Sequence, residues 1–431
     1  MICDNISVNG RGHLTFAGYD TVELAEKYGT PLCLMDENKI RDHVRGYKVA
    51  MEKYFPAGSA PEFAGKAFSC RQIYRIMAEE GIDIDVVSPG EIYTAATAGF
   101  PMENSFFHGN NKTDSDLRFA IENKVGHIVV DGEDELFALN RIAGAAGIVQ
   151  KILLRLTPGI DPHTHKKIST GAVDSKFGVP IETGQALELV KKALELKNVS
   201  LSGFHCHVGS QIFESRPFTD AAEIMLDFIA EARDRLKFTA GTLNLGGGFG
   251  VRYTESDPAI DYGEKIAEVA AALQKKCSAL KLEMPAILME PGRSIVADAG
   301  MTLYTVGSVK EIKGYKNYVS IDGGMTDNPR YTLYESPYTV ILASRADAVK
   351  NFTATVAGRC CESGDLIQEN VVMPKPCRGE ILAVLTTGAY NYSMASNYNR
   401  VGRPPVVMLN GERDYVAIRR ETYEDICSLD E

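Results

Sequence analysis

Two short turns hold the residues best suited to chemistry. Gly246-Gly247-Gly248-Phe249-Gly250 follows the apolar run TLNL, and Glu290-Pro291-Gly292-Arg293 follows the apolar run AILM. Glycines carry no Cβ, so backbone N–H groups in such a turn close on a phosphate, and a helix starting there adds its positive dipole end. Glu290 and Arg293 set a carboxylate and a guanidinium beside that anion site. Together they imply a phosphorylated cofactor with a protonated ring nitrogen, and an acidic substrate nearby. Lys66, within Phe63-Ala64-Gly65-Lys66-Ala67-Phe68, supplies a matching nucleophile. Most lysines are solvated surface charges. One at the end of a buried strand is desolvated, loses basicity and forms Schiff bases. With a phosphate subsite opposite, that chemistry selects pyridoxal 5'-phosphate.

His205 and His207 stand two apart on one apolar run, which points both to one face. A core pair is the plain reading. A metal would recruit His163 or His165, but no further ligand has a recognisable spacing, so no metal is expected. An imidazole stacked on a cofactor ring fits better. Opposite a pyridine nitrogen, Glu290 keeps that nitrogen protonated and deepens the electron sink. The glycines do not form a dinucleotide fingerprint: Gly246, Gly248 and Gly250 are followed by Val251, where G-x-G-x-x-G needs glycine. In Cys360-Cys361-Glu362-Ser363-Gly364-Asp365, adjacent cysteines make a poor disulfide. A thiol beside carboxylates keeps its proton, so Cys361 reads as a proton donor. Arg330 and Tyr334, four apart after a DGG turn, are either a carboxylate grip or a surface pair.

These residues need elements to place them. Strand-length apolar runs cover 62–67, 84–88, 105–109, 127–131, 151–157, 201–208, 242–246 and 286–292, with helical patterns such as QIYRIMAEEG between them. Eight near-continuously apolar strands alternating with helices predict a parallel (β/α)8 barrel, with an open doubly wound sheet as its rival. Active sites of such barrels gather at the C-terminal strand ends, where Lys66, Ser88, His108, Asp131, His205, His207, Gly248 and Glu290 fall. After Gly300 the pattern becomes short strands divided by turns, a second, β-rich domain of sandwich or barrel type. The N-terminal runs HLTFAGYD and PLCLMD are expected to join it. The expected divisions are 1–37, 38–299 and 300–431.

A chain of 431 residues exceeds the usual single-domain size. Its 45% apolar and 24% charged residues are ordinary for a globular protein. A net charge of −11 argues against nucleic acid as partner. Nine scattered cysteines with no C-x-x-C pair read as reduced thiols in a cytoplasm. No apolar run has the length of a signal peptide core or a membrane span, so no membrane association is expected.

The ordered set GEIYTAATAGF, FHGNNK, ISTG with SKFG, FHCHVGSQI, LNLGGGFG, EPGR, DGGM, CCESGD, GAY and YNRVGRP resembles the alanine-racemase-like, fold-type III pyridoxal phosphate decarboxylases. The resemblance runs from about residue 10 to 420. It implies that Lys66 holds the cofactor, that His207 stacks on its ring, and that Ser210, Gly248 and the Glu290–Arg293 turn, with Gly292, complete the contacts. It also implies that Arg293, Arg330 and Tyr334 meet a distal substrate carboxylate, Glu362 a distal ammonium, and Tyr390 both substrate and cofactor. Two-fold homodimers, with the CES segment of one chain completing its neighbour's site, belong to the same implication. The motifs depart from the family's pattern at Phe63 and Phe68, usually Tyr and Asn, and at Tyr331, usually proline. The expected reaction is decarboxylation of meso-2,6-diaminoheptanedioate to L-lysine and carbon dioxide. Sister decarboxylases of carboxynorspermidine, ornithine or arginine are the alternative. A racemase or a non-catalytic cofactor-binding protein fits less well, because CCESGD and its polar cluster would have no task.

Overall fold

A computed structural model describes residues 2–160 and 175–431. The ISTG motif, His163 and His165 lie outside the described residues. The chain divides into two compact units: Met1–Asp42, Val251–Ala259 and Arg293–Glu431 form one, and His43–Gly250 with Ile260–Gly292 form the other. The divisions thus fall after Asp42 and Gly292, where 37 and 299 were expected, and the short segment Val251–Ala259 groups with the chain ends.

The second unit is the expected barrel. Its strands are β1 (Ala60–Ala64), β2 (Asp83–Val86), β3 (Ser105–Phe107), β4 (His127–Val130), β5 (Gln150–Thr157), β6 (Val199–His205), β7 (Thr242–Asn244) and β8 (Ala286–Met289). Each pairs in parallel with the next, and β8 returns to β1 with Leu288 beside Ala60, which closes the ring and excludes the open sheet. Every strand except β5 stops short of its expected end, so most of the reactive residues sit in the loops beyond the ladder. Phe106, Val129, Leu153 and Leu288 form a buried cluster against Ala60. Burying each such side chain contributes about 1.5–3 kcal/mol.

Helix placement follows local signals. Helix Pro89–Ala98 starts at Ser88, whose Oγ accepts from Glu91 N, carries Pro89 in its first turn, and ends at left-handed Gly99. Ser88 is therefore a cap, not one of the reactive groups its position suggested. Thr113 and Asp116 close a capping box on helix Asp114–Glu122.

The first unit is β-rich. Strand Gly300–Ile312 is its spine: it pairs antiparallel with Leu32–Asp36, Lys316–Ile321 and Ile381–Leu385. Val406–Leu409 then lies parallel to Leu32–Asp36, so the N-terminal segment is built into this sheet as expected. Leu14, Phe16, Leu32, Leu34, Met301, Leu303, Leu385, Val407 and Leu409 share one core. Gly300–Ile312 and Leu366–Met373 carry no clean sequence signal, because the outer half of the first is mostly exposed and the second is interrupted by Gln368-Glu369-Asn370.

Candidate active site

In the barrel unit, Lys66 occupies a single 3-10 turn, Gly65–Ala67, directly after β1. Its side chain is 40% exposed, rather than desolvated as expected, and Nζ stands 3.9 Å from Asp85 Oδ2 on β2. Asp85 is buried; burial and then the Glu290 charge push it up to about 7, against Lys66 and Arg155. Glu290, just past β8, is likewise buried and raised by burial, with Lys66, Arg155 and a hydrogen bond from Asn244 opposing. Two imidazoles share its Oε1: His205 Nε2 at 3.0 Å and His108 Nε2 at 3.3 Å. Their rings meet edge-on at 4.8 Å. Burial holds both histidines well below the ordinary imidazole value, so they are neutral at pH 7.

His205 ends β6, so the alternation argument does not extend to His207, which lies in the following loop. His207 Nδ1 accepts from Gly247 N at 3.2 Å, which leaves the proton on Nε2. The loops after β6 and β7 are stitched together by Ile212 N to Gly248 O and Gly250 N to Ile212 O, which unites the VGSQI and GGGFG motifs. Gly248 requires its glycine: φ is +129°, and a Cβ would sit 2.5 Å from Gly209 O. No helix starts at this turn; the next begins at Tyr262, so the expected dipole contribution is absent. The N–H groups of Gly246, Gly247 and Gly250 are spent on Asn244, His207 and Ile212. Among the described residues, those of Gly248 and Phe249 take no internal hydrogen bond and remain for an anion.

A phosphorylated pyridine suits this set. Glu290 Oε1 is buried and accepts no well-aligned hydrogen bond, so a ring N–H there gains an acceptor and favours the ionised carboxylate. His108, His205 and Glu290 also lie close enough to hold a metal ion, though the oxygen such an ion needs is the one the ring nitrogen needs.

The other unit gathers arginines on aromatics. Arg293 and Arg330 are buried. Arg293 donates to Tyr253 OH at 2.7 Å, and its guanidinium lies 4.7 Å from the Tyr390 ring centre. Arg330 donates to Tyr338 OH at 2.9 Å and to Ser336 Oγ at 3.1 Å, and lies 4.8 Å from the Tyr253 ring centre. Among the described residues, no carboxylate is paired with Arg330, and no hydrogen bond or cation–π pair joins its guanidinium to Tyr334. Tyr331 turns away to donate to Glu369 at 3.0 Å and leaves Arg330 in place. Phe63 and Phe68 are simply buried in the barrel core.

Cys361 and Glu362 are exposed. Buried Asp365 anchors their loop, accepting from Met325 N at 2.6 Å and Cys360 N at 2.7 Å. The thiol that burial and Asp365 push up, to about 11, is Cys360. Asp85, Arg155, Asn244, Tyr253 and Tyr338 were not singled out from sequence. The signal for the first three was a polar residue within an apolar strand, IDVV, KILLRLT or TLN.

A family model described as "Pyridoxal-dependent decarboxylase, pyridoxal binding domain" matches residues 38–297. The chain is 45% identical over 424 residues to the diaminopimelate decarboxylase of Bacillus subtilis, covering 98% of this chain and 96% of the relative. The solved diaminopimelate decarboxylase of M. jannaschii with L-lysine superposes at TM-score 0.91, with 34% identity over 100% of this chain and 98% of that one. A Vibrio vulnificus lysine/ornithine decarboxylase bound to putrescine is more distant, at TM-score 0.76 and 26% identity over 90% and 97%.

Proposed function

The chain belongs to the pyridoxal-dependent decarboxylases, and we propose that it converts meso-2,6-diaminoheptanedioate to L-lysine and carbon dioxide. The observation that carries the substrate is the pair of buried guanidiniums, Arg293 and Arg330, gathered on one tyrosine. Such a pair suits a second carboxylate, which ornithine and arginine lack.

When bound, pyridoxal phosphate supplies a ring that accepts the electron pair left by the departing carboxylate. Lys66 is the residue that binds it, with Asp85 beside the amine. Glu290, with His108 and His205 beside it, would hold a proton at the ring nitrogen. His207 would stack on the cofactor's ring, and Ser210, Gly248 and Gly292 would complete its contacts. Arg293, Arg330 and Tyr334 orient the distal carboxylate, Glu362 the distal ammonium, and Tyr390 the substrate beside Arg293. Cys361 Sγ delivers a proton to the carbon that lost carbon dioxide, and solvent restores the thiol. Its exposure on a loop fits a donor that acts on the neighbouring chain of a homodimer. Among the described residues no helix is long and apolar enough to cross a membrane.

Measuring carbon dioxide from purified holoenzyme with meso-2,6-diaminoheptanedioate, carboxynorspermidine, ornithine and arginine tests the reading. Release from the first alone supports it. Preference for any other, or racemisation without gas, overturns it.

A further inference from the structure

Tyr253 is the residue on which both guanidiniums converge. Its hydroxyl accepts from Arg293 at 2.7 Å, and the face of its ring lies 4.8 Å from the guanidinium carbon of Arg330. The ring is buried and meets Tyr338 edge-on at 5.4 Å, and Tyr338 in turn accepts from Arg330. Tyr253 O accepts from Thr339 Oγ1 at 2.9 Å, which fixes the backbone beneath the ring.

A neutral phenol is an informative choice of partner. A carboxylate in its place would orient the guanidinium but also neutralise it. A phenol takes one N–H and supports the neighbouring cation through its π face without adding a negative charge beside either guanidinium. We propose that Tyr253 is the positioning residue that fixes the spacing and tilt of Arg293 and Arg330, and thereby sets selectivity for a substrate carrying a second carboxylate. The proposal rests on the reading that these arginines bind that carboxylate.

The reaction offers a clean probe, because L-lysine keeps the distal carboxylate whereas 1,5-diaminopentane lacks it. Tyr253→Phe removes the bond to Arg293 and keeps the ring under Arg330; Tyr253→Leu removes both. In holoenzyme, Tyr253→Phe should raise KM for meso-2,6-diaminoheptanedioate and Ki for L-lysine by roughly tenfold, as for loss of a hydrogen bond to a charged group. Tyr253→Leu should raise both further. In each variant, kcat, the visible cofactor spectrum and Ki for 1,5-diaminopentane should stay within about twofold, since none of them depends on the second carboxylate. Equal weakening of the two inhibitors, or unchanged L-lysine inhibition, overturns the proposal. Arg330→Lys, measured in parallel, separates the two layers. If it leaves L-lysine inhibition intact, the arginine reading itself has failed; if it weakens it while Tyr253→Phe does not, only the role of Tyr253 has.

Discussion

His205 Nε2 lies 3.0 Å from Glu290 Oε1, and both side chains are buried. His108 approaches the same oxygen at 3.3 Å. Two neutral imidazoles thus bracket one carboxylate oxygen without supplying positive charge, so the carboxylate keeps its capacity to hold a cation. Glu290→Gln should leave the cofactor bound, as seen in its visible absorption, while kcat falls on the order of 10²–10³, as for loss of one preorganised electrostatic partner. Unchanged kcat would remove Glu290 from the chemistry.

Lys66→Ala should fold but lose the visible absorption of bound cofactor after dialysis. Borohydride treatment of the parent protein followed by peptide mapping should mark Lys66 alone. A mark on any other lysine places the cofactor elsewhere.

Arg330→Lys keeps the charge but loses the planar fork. For meso-2,6-diaminoheptanedioate, kcat/KM should fall about ten- to a hundredfold, a loss of about 1.5–3 kcal/mol on the scale of a hydrogen bond to a charged group. Steady-state kinetics with the parent's kcat/KM retained would show that this guanidinium does not meet substrate.

If active sites are shared between two chains, Lys66→Ala and Cys361→Ala should each be inactive alone and complement each other. Mixed by unfolding and refolding, random pairing should restore roughly a quarter of the sites. Parental activity after proven subunit exchange would mean that each chain works by itself.

Asp83 opens β2, and burial alone pushes its carboxyl up to about 6. The folded state therefore binds the proton more tightly than the unfolded chain. No penalty exists below the ordinary carboxyl range, near pH 4; it grows as pH rises through 6 and is constant above. Asp83→Asn should add on the order of 3 kcal/mol more stability at pH 8 than at pH 4. Urea midpoints at the two pH values check this, and an equal effect at both would remove ionisation as the cause.

The barrel was legible because its strands are short, apolar and evenly separated by helical patterns, a signal that survives without side-chain detail. The residues after each strand were legible for the same reason. Ser88 misled because a helix cap and a reactive hydroxyl occupy the same place in a βα turn. The expected helix at GGGFG failed because the chain first pairs with Ile212 and runs on to Tyr262. Tyr253 was out of reach: it lies 40 residues from Arg293 and 77 from Arg330, and only tertiary packing brings the three together.

The parallel pairing of Val406–Leu409 with Leu32–Asp36 also sets an order of events during synthesis. Residues 32–36 emerge from the ribosome hundreds of positions before their partner, and at ~5–20 residues per second that delay is tens of seconds. The strands of the barrel are all translated in the interval. Leu32 and Leu34 spend it without a neighbour on that edge, an open apolar strand of the kind that pairs with other chains. The nascent protein thus carries an open apolar edge until translation is nearly finished, and a chain that stops short of residue 406 never closes it.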